Sequence, residues 1–186
     1  MNHARRLSAA ALATAALAAP SALASTAEAA PATPKTVKAQ TKQLLKDIAG
    51  KDARLARLST STAVQDLADD TEAELVSNVT DARTALDGLK TSVEAADSTV
   101  DTRAARKELR SFRVENLRIV VNVLDKVEGL EEAAAADPEA VAHLAAAEAA
   151  ALEITATSTK ADIRAVRTHV QAAEAELEPE AETTAS

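Results

Sequence analysis

Residues 112 to 130, Phe-Arg-Val-Glu-Asn-Leu-Arg-Ile-Val-Val-Asn-Val-Leu-Asp-Lys-Val-Glu-Gly-Leu, constrain the fold more than any other stretch of the chain. They hold its single aromatic residue and its densest apolar run outside the N-terminal segment. At 100° per residue, Leu109, Phe112, Val120, Val123, Val127 and Leu130 share one helix face, while Ile119, Val121 and Leu124 spread apolar surface around most of the rest. A helix that is apolar nearly all round needs neighbours on several sides. The β-branched residues Val114, Ile119, Val120, Val121 and Val123 would also suit a strand. Against that, the run continues a longer three-and-four pattern, no turn signal precedes it, and no second strand exists to pair with it. The spacing predicts a helix.

The remaining sequence supplies the neighbours. A first helix is predicted over 35–58, with Val37, Thr41, Leu44, Ile48, Leu55 and Leu58 on one side and Lys35, Lys38, Lys42 and Lys46 opposite. Ser59-Thr60-Ser61-Thr62 breaks it, and Thr62 with Gln65 reads as a capping box. The second helix, 62–97, carries Val64, Ala68, Thr71, Leu75, Val79, Ala82, Leu86, Leu89 and Val93 at alternating steps of three and four. Ser98 and Asp101 form the next capping box, opening a third helix over 99–128 that Gly129-Leu130 ends as a left-handed glycine and an apolar return. Asp137-Pro138-Glu139 then gives an N-cap, a proline at N1 and an acidic first turn. The fourth helix, 138–178, keeps its apolar phase through Thr155–Thr159, so the spacing predicts one rod about 60 Å long with a kink there.

By segment the charge alternates: basic, acidic, basic, acidic. Short connections make consecutive helices antiparallel, so the expected fold is all-α, an antiparallel up-down-up-down four-helix bundle within one domain over 35–178. Charge alternation then favours sequential neighbours over wrong pairings.

The flanks read differently. Met-Asn-His-Ala-Arg-Arg followed by an uncharged Ala- and Leu-rich run predicts a cleavable secretory signal over 1–29, cut after Ala24 or Ala29. An Ala/Pro linker over 30–34 and a disordered acidic tail over 179–186 complete the expected organisation. Without cysteine, neither a disulfide nor a thiol-linked lipid is available. No stable transmembrane anchor is expected after cleavage.

Composition excludes several functions. One Phe and no Trp or Tyr leave no sugar platform, base-stacking surface or aromatic cage. A net charge of −8 disfavours nonspecific nucleic-acid binding. The sequence has no Gly-rich phosphate loop, Ser elbow or Cys nucleophile. Asp69, Asp70, Glu72 and Glu74 lack the glycine and spacing of a calcium loop and suit a helix start. His143 and His169 would stand about 39 Å apart on one rod and could meet only if the fourth helix folded into a hairpin near Ser158 or chains associated. Asn78-Val79-Thr80 matches a glycosylation sequon but lies in the most regular helix. No catalytic, metal or cofactor residues are therefore expected.

Two groups remain. Arg103, Arg106, Lys107, Arg110 and Arg113 fall on one side of the third helix, and guanidinium forks match phosphate geometry. Phe112, Asn116, Val120, Val123, Leu124 and Val127 form its apolar face, in which a buried Asn116 would fix register or a self-association interface. The sequence thus predicts a non-enzymatic, exported interaction or scaffold module, secreted or held at the cell envelope. Its partner would be an unknown protein or envelope component, or a second copy through the third helix. The alternatives are binding of anionic wall polymer or lipid headgroups through the basic stripe and, last, a hydrolase or metalloenzyme.

Overall fold

The computed structural model describes residues 34–178. The expected signal segment 1–29, linker residues 30–33 and tail 179–186 lie outside the described residues. Among the described residues the chain is all-helical, with six helices and one single helical turn: α1 Pro34–Leu58, the turn α2 Thr62–Gln65, α3 Asp69–Glu94, α4 Thr99–Ser111, α5 Val114–Ala134, α6 Pro138–Leu152 and α7 Lys160–Leu177.

Cross-helix bonds give the directions. Thr102 Oγ1 donates to Gln40 Oε1 (2.6 Å), Lys51 Nζ to the Phe112 carbonyl (2.5 Å) and Arg54 to Glu115 (3.2 Å), so α4 and then α5 advance parallel to α1. The backbone N–H of Ala68 donates to Glu128 Oε1 at 2.8 Å, pairing the start of α3 with the far end of α5. Thr71 Oγ1 donates to Glu148, and Asn78 Nδ2 to the Leu152 carbonyl, so α6 runs parallel to α3. Asn78 is helical and its amide is occupied, which suits a chance sequon.

Burial follows two apolar clusters. One joins α1, the later part of α3, α4 and the first turn of α5 around Leu44, Leu55, Leu86, Leu109, Phe112 and Leu117. The other joins Val64 and Leu67, the early part of α3, α5, α6 and α7 around Leu75, Leu124, Leu144, Val166 and Val170. Both α3 and α5 contribute to both clusters, so neither cluster can be lost without exposing part of the other.

Four expected boundaries are corrected. The second helix is interrupted at Asp66–Ala68, and Thr62 is not its cap: Ser61 occupies the N-cap position of α2, without a side-chain cap bond. Val64 and Leu67 on either side of the break's start are both buried, and Glu128 from α5 caps α3 in place of a local side chain.

The third helix is broken at Phe112–Arg113, where ψ reaches 105° and 99°. Phe112 and Val114 are both buried. In a continuous helix, residues two apart point about 200° away from each other. The extended joint lets both enter the core.

Gly129 does not end a helix. No described glycine has positive φ, and α5 continues to Ala134, which is fully buried. Leu130 packs on the core as a helical residue rather than as a returning one. A Cβ at Gly129 would meet nothing within 4 Å. Gly129→Ala is therefore expected to stabilise the protein by about 0.5–1 kcal/mol, read as a higher urea midpoint at unchanged slope.

The fourth helix is a hairpin, not a kinked rod. Residues 153–159 leave the helix and α7 returns along α6. Thr155 N–H donates to Ser158 Oγ (2.9 Å) and Thr157 N–H to Thr155 Oγ1 (3.3 Å), local bonds that compete with helix continuation. Thr159 and Asp162 make a full capping box, but it opens α7 as a new helix.

The Ser98–Asp101 capping box at the start of α4 is also formed. The Ser98 hydroxyl, donating to the Asp101 carboxylate at 2.5 Å, holds that carboxyl below the usual carboxylate range. A folded pKa below the unfolded one contributes stability above the unfolded value, about 4, and loses it as pH falls through the folded value. The first turn of α4 is expected to fray in that acidic window. Carboxyl NMR titration of Asp101 should show its midpoint rise in Ser98→Ala.

Candidate anion-binding surface

The basic stripe does not remain one constellation. Arg103, Arg106, Lys107 and Arg110 lie on α4, but Arg113 sits past the break as the N-cap residue of α5. None of the five makes an ion pair among the described residues. Arg103 and Lys107 are exposed and do not face the groove beside α1. Arg106 and Arg110 line that groove, of about 570 Å³, together with Lys46, Lys51 and Arg54 of α1. Leu44 and Leu109 contribute its apolar lining.

The groove holds five cations and one carboxylate, Asp47, which accepts a bond from Gln43 at 2.7 Å. Lys51 is partly committed, since its ammonium caps the Phe112 carbonyl that the helix break leaves open. Arg54 pairs with Glu115, both largely exposed. Lys46, Arg106 and Arg110 have no such partner among the described residues. In an acidic chain this is a local inversion of charge. Low-dielectric walls on either side strengthen the field that an incoming anion meets.

By contrast, the groove between α1 and α3, about 560 Å³, has both of its cations opposed in place. Arg83 bonds Asp52 at 2.7 Å, which raises the guanidinium pKa, and Lys90 approaches Asp87 at 4.0 Å. The one charge left over is the carboxylate of Glu94, so this groove offers an anion nothing.

The second predicted group is enclosed by the chain itself. Phe112, Asn116, Val120, Val123, Leu124 and Val127 are all buried among the chain's own helices. No face of theirs is exposed to receive a second copy. Asn116 is 5% exposed, and its amide donates to the carbonyls of Thr155 (3.1 Å) and Ser158 (2.9 Å). Beside it, Arg113 N–H donates to the Ala156 carbonyl at 2.6 Å. The α4–α5 break and the α6–α7 loop therefore satisfy each other's open backbone groups, and Asn116 holds their register.

His143 and His169 meet because the fourth helix is a hairpin: their ring centroids are 6.3 Å apart, tilted by 37°. Among the described residues no three His, Cys, Asp or Glu side chains gather in a metal-holding arrangement. Every buried side-chain nitrogen or oxygen there has a hydrogen-bond partner. No described helix is long and apolar enough to cross a membrane.

The hairpin also assembles a group that the linear pattern does not single out. Lys160, Arg164 and Arg167 lie on one face of α7 and meet Arg113 across a groove of about 530 Å³ between α5 and α7. Their spacing of four and three is visible in the sequence, but what they face depends on α7 reversing direction. No family model matches this chain, and no curated protein or solved structure matches it.

Proposed function

We propose that the chain is an exported, non-enzymatic helical-bundle protein whose work is to bind an anionic, phosphate-bearing component of the cell envelope. The rods α1, α3, α4–α5 and α6 alternate in direction, which supports reading them as an up-down-up-down bundle whose fourth rod doubles back as α7. The arginine pair and Ala-rich run near the N-terminus support export.

One observation carries the binding role: in a chain of net charge −8, five cations and one carboxylate line a single groove, and Arg106 and Arg110 lack an ion pair among the described residues. Guanidinium pairs of this kind hold phosphate oxygens in bidentate geometry.

The test is Arg106→Gln with Arg110→Gln, assayed against purified wall polymer and against anionic vesicles at several salt concentrations. Retention is expected to fall at least about tenfold, with a shallower salt dependence and unchanged helicity. Equal binding by the variant would rule the groove out as the binding surface.

A further inference from the structure

The two basic grooves are neighbours. Arg54 lines the groove between α1 and α4, Glu115 lines the groove between α5 and α7, and the two side chains pair at 3.2 Å. Their ion pair joins a lining residue of one groove to a lining residue of the other. The second groove, like the first, is cationic, with Arg113, Lys160, Arg164 and Arg167 against Glu115 alone. It lies at the start of α5, where the one acidic residue of the first turn is that same Glu115.

The grooves also run end to end. Helix α1 advances parallel to α4, and Arg54 at its later end meets Glu115. Helix α7 then runs parallel to α5, from Ser158 opposite Asn116 to Glu174, which pairs with Lys126 at 2.6 Å. Lys46 to Arg54 covers about 12 Å of helix, and Lys160 to Arg167 about 10 Å more. A single phosphate or headgroup would use only part of such a track.

We infer that the two grooves form one continuous track for a linear phosphodiester or polyphosphate chain, and that Glu115 acts as its gate by occupying Arg54 until a phosphate displaces it. This rests on the anion-binding reading above. A polymer fits better than a bilayer because the cations lie in grooves between helices. The large apolar side chains exposed among the described residues are only Val100 and Val141, on different helices, so nothing beside the track is suited to insertion. The single Phe is buried, and neither it nor a His lines either groove, so the track has no ring to stack a base and reads phosphate rather than nucleobase.

The experiment compares long-chain inorganic polyphosphate, tripolyphosphate and anionic phosphatidylglycerol vesicles by titration calorimetry across a salt series. The wild type should prefer the long chain to tripolyphosphate by at least about tenfold, because linked contacts raise apparent affinity. Combined Lys160→Gln, Arg164→Gln and Arg167→Gln should abolish that length preference while leaving tripolyphosphate binding in the first groove. It should also lower the logarithmic salt slope by about 2, at about 0.7 for each phosphate that is no longer neutralised. Glu115→Gln, at a largely exposed position, should tighten long-chain binding several-fold by freeing Arg54.

Wild-type binding of tripolyphosphate with no length preference, or an unchanged slope in the triple variant, would overturn the track while leaving the first groove standing. Weaker or unchanged long-chain binding by Glu115→Gln would overturn the gate. Vesicle binding that depends on α7 without polyphosphate binding would overturn the choice of a polymer. No binding of any of the three probes by the wild type would overturn the groove and the track together.

Discussion

Asn116→Leu is expected to unseat the α6–α7 loop and cost about 2–3 kcal/mol. The substitution keeps the number of side-chain heavy atoms and the branch at Cγ but removes the donor shared by the Thr155 and Ser158 carbonyls. Each partly buried carbonyl left without a partner costs roughly 1 kcal/mol or more. For a chain of this size that is a fall in Tm of roughly 5–10 °C. The loss should be local as well as global. Lys160 and Arg164 follow the loop directly, so limited trypsin digestion should cut there faster in the variant than at Arg103 or Lys107. Uniform acceleration at all four sites would mean that Asn116 supports the whole fold rather than docking one loop.

Leu117→Ala is expected to cost more, about 3–4 kcal/mol. Leu117 is fully buried and lies in the cluster with Leu109, Phe112 and Val114 at the helix joint. Truncating a buried leucine loses its transfer free energy and leaves a cavity that a close-packed interior refills only partly. Helices α3 and α5 run through both apolar clusters, so the loss should appear as one cooperative transition. Chemical denaturation should show a lower midpoint at unchanged slope. Val100→Ala, at a side chain 68% exposed, is the control and should stay within about 0.5 kcal/mol. Two separated transitions in Leu117→Ala would show that the clusters unfold independently.

The all-α character is legible in the sequence because a three-and-four pattern over dozens of residues has no other simple solution. Three of the polar boundaries are legible too, since Ser98, Asp137 and Thr159 carry their bonding partners within three residues. The hairpin is not, for a geometric reason. Seven residues lie between Leu152 and Lys160, and seven residues advance about 700°, close to two full turns. A loop of that length leaves the apolar phase intact, so phase cannot reveal it. The signal that does mark it is Ile154-Thr155-Ala156-Thr157-Ser158-Thr159, where hydroxyls crowd a helix and offer the backbone other partners.

The joint at Phe112–Arg113 is too short for a phase argument and depends on what fills the opened groups: Lys51 and Ala156, both distant in sequence. Gly129 misleads because glycine can end a helix but does not have to. The stripe on α4 is basic, as its spacing indicates, yet its division between two grooves follows from that joint. The second groove follows from the hairpin, so its cations have no visible partner in the linear pattern.

No described residue, glycine included, has positive φ, so the reversals between α3 and α4, α5 and α6, and α6 and α7 use no left-handed backbone. They are written in hydroxyls and carboxylates instead: Ser98 with Asp101, Asp137, and Thr159 with Asp162. The grammar of this chain is therefore inverted from the usual one, in which glycine marks the corners. Its three glycines are free to drift, whereas a handful of small polar residues carry the information about where the polymer bends. In a lineage of such proteins, the turns would be traced through the persistence of Ser, Thr and Asp at helix starts, with alanine and glycine exchanging between them.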